Sequence, residues 1–510
     1  MSNIADTRKV AKNTLLLYVR MFVLTIIGLF TSRVVLQALG VENYGINNVV
    51  AGFLSMFGIF TSSMSGAIGR FITVELGKGD KVRLKNVFTT ALAVQLCIGL
   101  LIVVIFETFG IWFVFNELQI PEGRETAAIC CFQCATLSTF IGLMSVPFMS
   151  AVVAHERMSA FAYMTILDAT LKLVICYLLY VSPIDKLITF SILGVCVTVI
   201  STTIYWTYCF KHFEEAVFKF KFERILFKEI WGFAGWNTFA QTAWILNTQG
   251  VNMLMNIFFG VVVNAARGIA VQVNGIINQF VSNFMIALNP QITKTYAAGE
   301  KETSFRLACS GSRLSFYIMF ILALPIMLES HMILELWLGI PPKETESFLI
   351  WTILSTFTTL LGNTLVTLQM AHGNIKRYQI YITIFGCAPF PLTWIIFNMG
   401  ASAISAYYIY TFVYWILIFV RFYLVSGMTG IPAKMYLWGV VARTHVVGLL
   451  STFFPLMVVL ILEESLFRLF LTVLISLLSS CTIIYFMGLE TSERLFVNKM
   501  VVSKITRFKK

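Results

Sequence analysis

The chain has 510 residues, 58% of them hydrophobic and only 12% charged, with a mean hydropathy of +0.83; this lies outside the range of water-soluble globular proteins and belongs to a polytopic membrane protein. Its net charge of +12 does not mark nucleic-acid binding, because the basic residues alternate along the chain with apolar segments. Ten cysteines are scattered mostly singly through apolar stretches, and Cys130, Cys131 and Cys134 in CCFQC lack the second pair or nearby histidine that a metal site needs, so no metal and no cofactor is expected.

The polar, basic start MSNIADTRKVAKN leads into about 25 apolar residues, too long for a signal-peptide core and without a small-residue cleavage site, so this first span is expected to stay in the mature protein. Apolar runs of about 20 residues then place candidate helices near 14–38, 44–67, 87–108, 127–151, 160–181, 187–210, 230–258, 264–289, 306–328, 348–371, 378–397, 403–425, 436–461 and 465–488. The predicted fold class is therefore an all-α polytopic membrane protein of about 14 transmembrane helices. Arg8, Lys9 and Lys12 precede the first helix; Arg70, Lys78, Lys81, Arg83 and Lys85 follow the second; Lys211, Lys219, Lys221, Arg224 and Lys228 follow the sixth; and the tail adds Arg494, Lys499, Lys504, Arg507, Lys509 and Lys510. The opposite loops are short or acidic, with Glu117, Glu122 and Glu125 in one and Glu335, Glu344 and Glu346 in another. By the positive-inside rule both termini are expected in the cytoplasm. No exterior loop leaves room for a soluble domain, so the activity is expected inside the membrane.

Compared with itself at an offset of 220, the chain aligns residues 40–81 with residues 260–301 without a gap. The identities are Gly40/Gly260, Val41/Val261, Phe60/Phe280, Ser62/Ser282, Ala67/Ala287, Ile72/Ile292, Thr73/Thr293, Gly79/Gly299 and Lys81/Lys301. The offset equals six helices with their loops, which predicts two equivalent six-helix bundles, 1–214 and 215–430, followed by two helices and a basic tail, 431–510. Two such bundles facing one another enclose a cleft, where transporters place their substrate.

Fourteen helices arranged as six, six and two, the GVENYGI turn after the first helix, and FITVELGKGDK after the second resemble the polysaccharide or O-antigen flippases of the multidrug/oligosaccharidyl-lipid/polysaccharide (MOP) exporter superfamily. The resemblance implies a non-enzymatic protein of the bacterial inner membrane. It would turn a polyprenyl-pyrophosphate-linked oligosaccharide from the cytoplasmic to the outer leaflet by alternating access, for surface polysaccharide such as O-antigen, capsule or exopolysaccharide. Its partners would be that lipid-linked sugar, membrane lipids and other polysaccharide-assembly membrane proteins, with no nucleic acid.

An arginine near mid-membrane costs roughly 2.5–3.5 kcal/mol on insertion scales, so each is a functional candidate unless it snorkels from a helix end. Arg70, Arg306 and Arg421 sit near cytoplasmic boundaries and read as snorkelling or orienting residues. Arg20 in the first helix and Arg313 in the ninth lie deeper, whereas Arg33 and Arg267 lie toward the outer side, where the positive-inside rule gives no reason for arginine. Asp168 and Lys172 are spaced for an intrahelical pair, either a coupling-ion or substrate site or a device that fixes packing. Along the eighth helix, at 100° per residue, Arg267, Asn274, Asn278 and Asn289 share one stripe, and Gln272, Gln279 and Asn283 form a second. One stripe is expected to face a neighbouring helix and the other an aqueous cleft. The preceding segment adds Asn237, Gln241, Asn252 and Asn256. A guanidinium fork suits phosphate and amides suit sugar hydroxyls, so Arg20, Arg33, Arg267, Asn274, Asn278 and Arg313 are the candidate substrate contacts.

Two readings compete. A multidrug cation exporter coupled to protons or sodium would want carboxylates inside the bundles, and only Asp168, beside its lysine, answers. A membrane-embedded polysaccharide polymerase or glycosyltransferase needs acid–base or metal-binding groups near the surface, yet the five histidines are dispersed and no paired acids occupy a large exterior loop.

Overall fold

The computed structural model describes residues 2–55, 57–58, 64–65, 68–69, 71–72, 75–76, 79–155, 157–217, 227, 244–372, 376–495 and 498. Among the described residues every regular element is helical, as lipid demands of a chain that must satisfy its own backbone hydrogen bonds. In chain order the helices used below are α1 Ser2–Ser55, α2 Lys81–Asn116, α3 Glu125–Ala154, α4 Met158–Val181, α5 Lys186–His212, α6 Val251–Phe259, α7 Val261–Ala297, α8 Lys301–Leu328, α9 Ser330–Leu338, α10 Thr345–His372, α11 Arg377–Asn398, α12 Ser405–Thr429, α13 Lys434–Ile461 and α14 Leu466–Gly488. Eleven stretches among the described residues are long and apolar enough to span a membrane.

The protein is thus an all-α polytopic membrane protein, and the three remaining expected spans have definite places. The span at 44–67 starts within α1 beyond a bend at Gly40 (φ 76°, ψ 167°), and part of it lies outside the described residues. Most of the first half of 230–258 also lies outside them, including Asn237 and Gln241. The span at 264–289 falls within α7, whose 37 residues extend about 55 Å.

The internal repeat is written into the backbone. Gly260 has φ 78° and ψ −175°, nearly the conformation of Gly40; Gly79 and Gly299 have φ 73° and 83°. Such dihedrals favour glycine because it lacks a Cβ, so the identities at these positions follow from the turns they make. α2 and α8 begin at Lys81 and Lys301, and α3 and α10 at Glu125 and Thr345, keeping the same 220-residue offset. Leu118/Leu338, Ile120/Ile340 and Pro121/Pro341 extend the identities into the loop before α3 and α10.

The chain divides into two compact units, Met1–Gly268 and Ile269–Lys510. In the first, α3 packs along α5 and α2, and α1 packs along α4. Association in lipid relies on close packing and polar contacts, since lipid tails are as apolar as the helices. Phe53, Phe106 and Phe132 form a buried aromatic cluster with centroids 5.5 and 5.9 Å apart. Polar lacing ties the starts of α3 and α5 to α1 just past its bend: Arg124 Nη1 donates to Asp185 Oδ2 at 2.5 Å and Nη2 to Asn43 Oδ1 at 2.5 Å. Asp185 also caps α5 by accepting from the Leu187 and Ile188 amides. The hydrogen bond from Arg124 and those amides hold its carboxyl below the usual range.

In the second unit α10 lies between α8 and α12, and α13 and α14 pair and reach α8. The buried Glu329, just after α8, accepts from Arg468 Nε at 3.1 Å, Arg468 Nη2 at 2.9 Å and Thr472 Oγ1 at 2.8 Å. This fastens α14 to the end of α8.

Candidate functional site

The corner between α6 and α7 is built from side chains that would be costly in lipid without partners. Asn252, Asn256 and Asn264 are all 1% exposed or less, and they satisfy one another. Asn264 Nδ2 donates to Asn252 O at 2.7 Å and to Asn252 Oδ1 at 3.0 Å; Asn256 Nδ2 donates to Asn264 Oδ1 at 3.0 Å. Gln119, in the loop before α3, completes the set: its backbone amide donates to Asn256 Oδ1 at 2.9 Å and its side chain to Ile257 O at 2.7 Å. One turn beyond Asn264 stands Arg267, 7% exposed, donating from Nη2 to Thr248 O at 2.6 Å. Its Nε is buried without an acceptor, so the guanidinium is held by the backbone with part of its fork unfilled.

This corner rests on the part of α1 beyond Gly40 through glycines. A Cβ at Gly45 would meet Val261 O at 2.1 Å; one at Gly52 would meet Asn252 Nδ2 at 2.6 Å and Gln249 Oε1 at 2.9 Å; one at Gly268 would meet Asn48 Nδ2 at 2.2 Å. Small residues allow such backbone approach, and the amides fill the space that side chains at these positions would take.

The first unit holds a second polar set. Arg20 Nε donates to Thr165 Oγ1 at 2.7 Å and its guanidinium lies 4.5 Å from the Phe161 ring centre, a cation–π arrangement. Arg33 is half-buried on the same helix. Along α4, Asp168 Oδ2 and Lys172 Nζ are 2.8 Å apart, and Ser201 Oγ of α5 donates to Asp168 Oδ1 at 2.8 Å. The intrahelical pair has the spacing expected of it, with Asp168 engaged at both oxygens.

In the second unit the polar stripe on α7 divides. Asn274 Oδ1 accepts from Thr356 Oγ1 at 3.1 Å and Asn289 Oδ1 accepts from Thr367 Oγ1 at 2.9 Å, so both turn to α10. Asn278 is half-buried, whereas Gln279 is exposed. Arg313 is 1% exposed; its Nη1 lies 2.7 Å from Glu490 and its Nη2 lies 2.8 Å from Glu493, while Nη1 also donates to Gly439 O at 3.2 Å. Its positive charge is thus directed to the segment after α14.

No family model matches this chain, and no curated protein matches it. Solved structures do. One described as the lipid II flippase MurJ in an inward closed conformation is 13% identical, covers 92% of this chain and 98% of its own, and superposes with a TM-score of 0.69. An inward-facing multidrug resistance MATE family transporter of the MOP superfamily is 14% identical, with 80% and 94% covered and a TM-score of 0.65. The chain has the MOP transporter fold. A MOP superfamily transporter from Pyrococcus furiosus, described as having reversed polarity in its binding pocket, also matches at 14% identity over 83% and 95% of the two chains, with a TM-score of 0.60.

Within the MOP fold of this chain, sequence reasoning missed the pairing of Arg124 with Asp185 and the partners of Arg313. It found Asn252 and Asn256 but not the role of Gln119. The one available signal was Asp185 directly before an apolar run, an N-cap pattern that also marks where a basic partner can dock.

Proposed function

We propose that this protein is a membrane transporter that moves a polyprenyl-pyrophosphate-linked oligosaccharide from the cytoplasmic to the outer leaflet of a bacterial inner membrane. The observation that carries the reading is Arg267: a buried guanidinium fixed by a backbone carbonyl, with Nε lacking an acceptor and, among the described residues, no carboxylate in ion-pair distance. Arginine's planar fork suits a phosphate oxygen pair. Arg20 and Arg33 add positive charge on α1, and the half-buried Asn278, on the same helix as Arg267, offers an amide to sugar hydroxyls. The domain reading at 1–214, 215–430 and 431–510 supplies the two rocking bundles and the appended helices, with both termini in the cytoplasm. Other polysaccharide-assembly proteins of the same membrane are its natural partners.

The MOP fold also serves multidrug transporters, but a cation exporter would want an available carboxylate, and Asp168 already serves Lys172 and Ser201. Purified protein in lipid nanodiscs, heated with a panel of lipid-linked saccharides, tests the proposal. A saturable rise in unfolding temperature with pyrophosphate-linked saccharides, lost in Arg267→Ala, supports it. A rise with cationic drugs alone overturns it.

A further inference from the structure

The end of α14 gathers three arginines, and two of them keep part of their fork open. From Arg443 to Ile461, α13 runs for 19 residues, about 28 Å. Over this length it packs along α14, where Ser479 Oγ donates to Ser451 O at 2.9 Å. The length matches the roughly 30 Å of hydrocarbon in a bilayer, so Arg443 and the end of α14 stand at one edge of the apolar layer, the level of phospholipid phosphates. Trp438, just before Arg443 on α13, is exposed, as aromatic side chains are at that boundary.

Backbone carbonyls at this end fix both guanidiniums. Arg443 donates from Nε to Met487 O at 2.6 Å and from Nη2 to Leu489 O at 3.0 Å. Arg494 donates from Nε to the same Leu489 O at 3.2 Å and from Nη2 to Phe486 O at 2.5 Å. The shared acceptor holds two like charges side by side. Capping the last carbonyls of a helix accounts for Nε and Nη2 of each arginine. It leaves each Nη1 without an acceptor among the described residues, where neither arginine has a carboxylate in ion-pair distance. An open cleft of about 430 Å³ lies against them, lined by Arg443, Leu489, Glu490, Thr491, Ser492 and Arg494. Thr491 and Ser492 are exposed and bring hydroxyls to the same cleft. The Glu490 carboxylate is engaged by Arg313 Nη1 at 2.7 Å, and Arg313 also takes Glu493 at 2.8 Å. Arg313, Arg443 and Arg494 against Glu490 and Glu493 leave one positive charge in excess, the charge that a phosphodiester cancels. Beyond Arg494 the sequence adds Lys499, Lys504, Arg507, Lys509 and Lys510 and no acid, a basic run that anionic lipid surfaces attract.

We propose that Arg443 and Arg494 form a binding site for a phosphate group, with Thr491 and Ser492 as further donors. Arginine forks suit phosphate oxygens, and the place at the edge of the apolar layer makes the headgroup of an anionic phospholipid its source. The bound phosphate joins α13 to the segment that follows α14. This inference does not rest on the glycan reading, because its probes carry no lipid-linked sugar.

The test uses the full-length protein purified in a neutral detergent. Phosphatidylglycerol, phosphatidylcholine with the same chains, and inorganic phosphate are titrated separately, with unfolding temperature and native mass spectrometry of bound lipid as the readouts. Wild type is expected to take up phosphatidylglycerol saturably and to unfold at a higher temperature with it. Phosphatidylcholine, whose phosphate carries its own counter-charge, should give a much smaller rise. Arg494→Gln should weaken phosphatidylglycerol by about tenfold or more, as loss of a charge-assisted hydrogen bond predicts. Ser492→Glu, a change at an exposed position that puts a carboxylate into the cleft, should weaken it at least as much while leaving the unfolding temperature in detergent alone near that of wild type. A saturable rise with inorganic phosphate that displaces the lipid and is lost in both variants supports the same site with the free anion as its occupant. Equal responses to the two lipids, no saturable response of wild type to phosphatidylglycerol or phosphate, or a wild-type lipid response in either variant would each overturn the proposal. A purely capping role for the arginines predicts that last result. Ser492→Glu decides the matter if Arg494→Gln does not fold.

Discussion

Asn48 and Gly268 occupy equivalent positions in the 220-residue repeat, and they touch: a Cβ on Gly268 would lie 2.2 Å from the Asn48 amide nitrogen. Nearby, Gly45 faces the backbone carbonyl of Val261 at 2.1 Å from its would-be Cβ, and a backbone cannot step aside as an amide side chain can. Gly45→Ala should therefore destabilise the protein by about 1–3 kcal/mol, in the range of core overpacking, and Gly52→Ala and Gly268→Ala by clearly less. Thermal unfolding of the three purified variants checks the order; equal losses would show that the close approach at Gly45 does not persist in the membrane.

Arg267→Lys keeps the charge but loses the fork. On the function proposed above, Arg267→Ala should abolish glycan export at normal protein level, and Arg267→Lys should restore it only in part. Full activity of the alanine variant would leave Arg267 a packing residue.

Much of this fold was legible because lipid imposes a coarse rule, an apolar run for each crossing, and because two turns needed glycine. Gly40 and Gly260 matched in sequence since their backbones share a positive φ. The site was less legible. Helical angles placed Asn274 and Arg267 on one stripe, but angle alone does not say what a stripe faces, and Asn274 meets Thr356 while Arg267 meets Thr248. Arg313 pairs with Glu493 across 180 residues, a separation no local pattern reveals. Arg421 read as a boundary residue, and its close approach to Gly362 of another helix is nothing a local pattern reveals.

Burial makes the Arg313 cluster sensitive. Removing one partner of a buried ion pair leaves the other charge uncompensated, at about 3–5 kcal/mol, so Arg313→Ala should be strongly destabilising. Glu493→Gln should cost more than Glu490→Gln, because the side chain of Glu493 is 16% exposed and that of Glu490 45%. Unfolding temperatures of the three variants decide; indifference to Glu493→Gln would contradict a closed cluster.

His331 carries a pH dependence. Its ring Nδ1 lies 3.1 Å from Glu464 Oε1, and the hydrogen bond with Glu464, then its charge, with Glu346 and Glu335 adding to it, raises the imidazole pKa. A raised value means that the folded state holds the proton more tightly, so the contribution is fully present below about pH 6.5, the ordinary histidine value, and is lost as pH rises through the folded value. Wild type should therefore exceed His331→Gln in unfolding temperature at pH 6 and lose that advantage toward pH 9. A gap that is constant with pH, or grows toward alkaline pH, would contradict the pairing.

Movement of the lipid-linked sugar itself is the most direct measurement. Proteoliposomes containing a polyprenyl-pyrophosphate-linked oligosaccharide, labelled on the sugar, are exposed to an impermeant enzyme that cleaves only saccharide at the outer face. With wild-type protein the protected half should become accessible, with Arg267→Ala it should stay protected, and a cationic dye should not move under a proton or sodium gradient. Protection that wild-type protein leaves unchanged, or dye transport without movement of the sugar, would contradict the account.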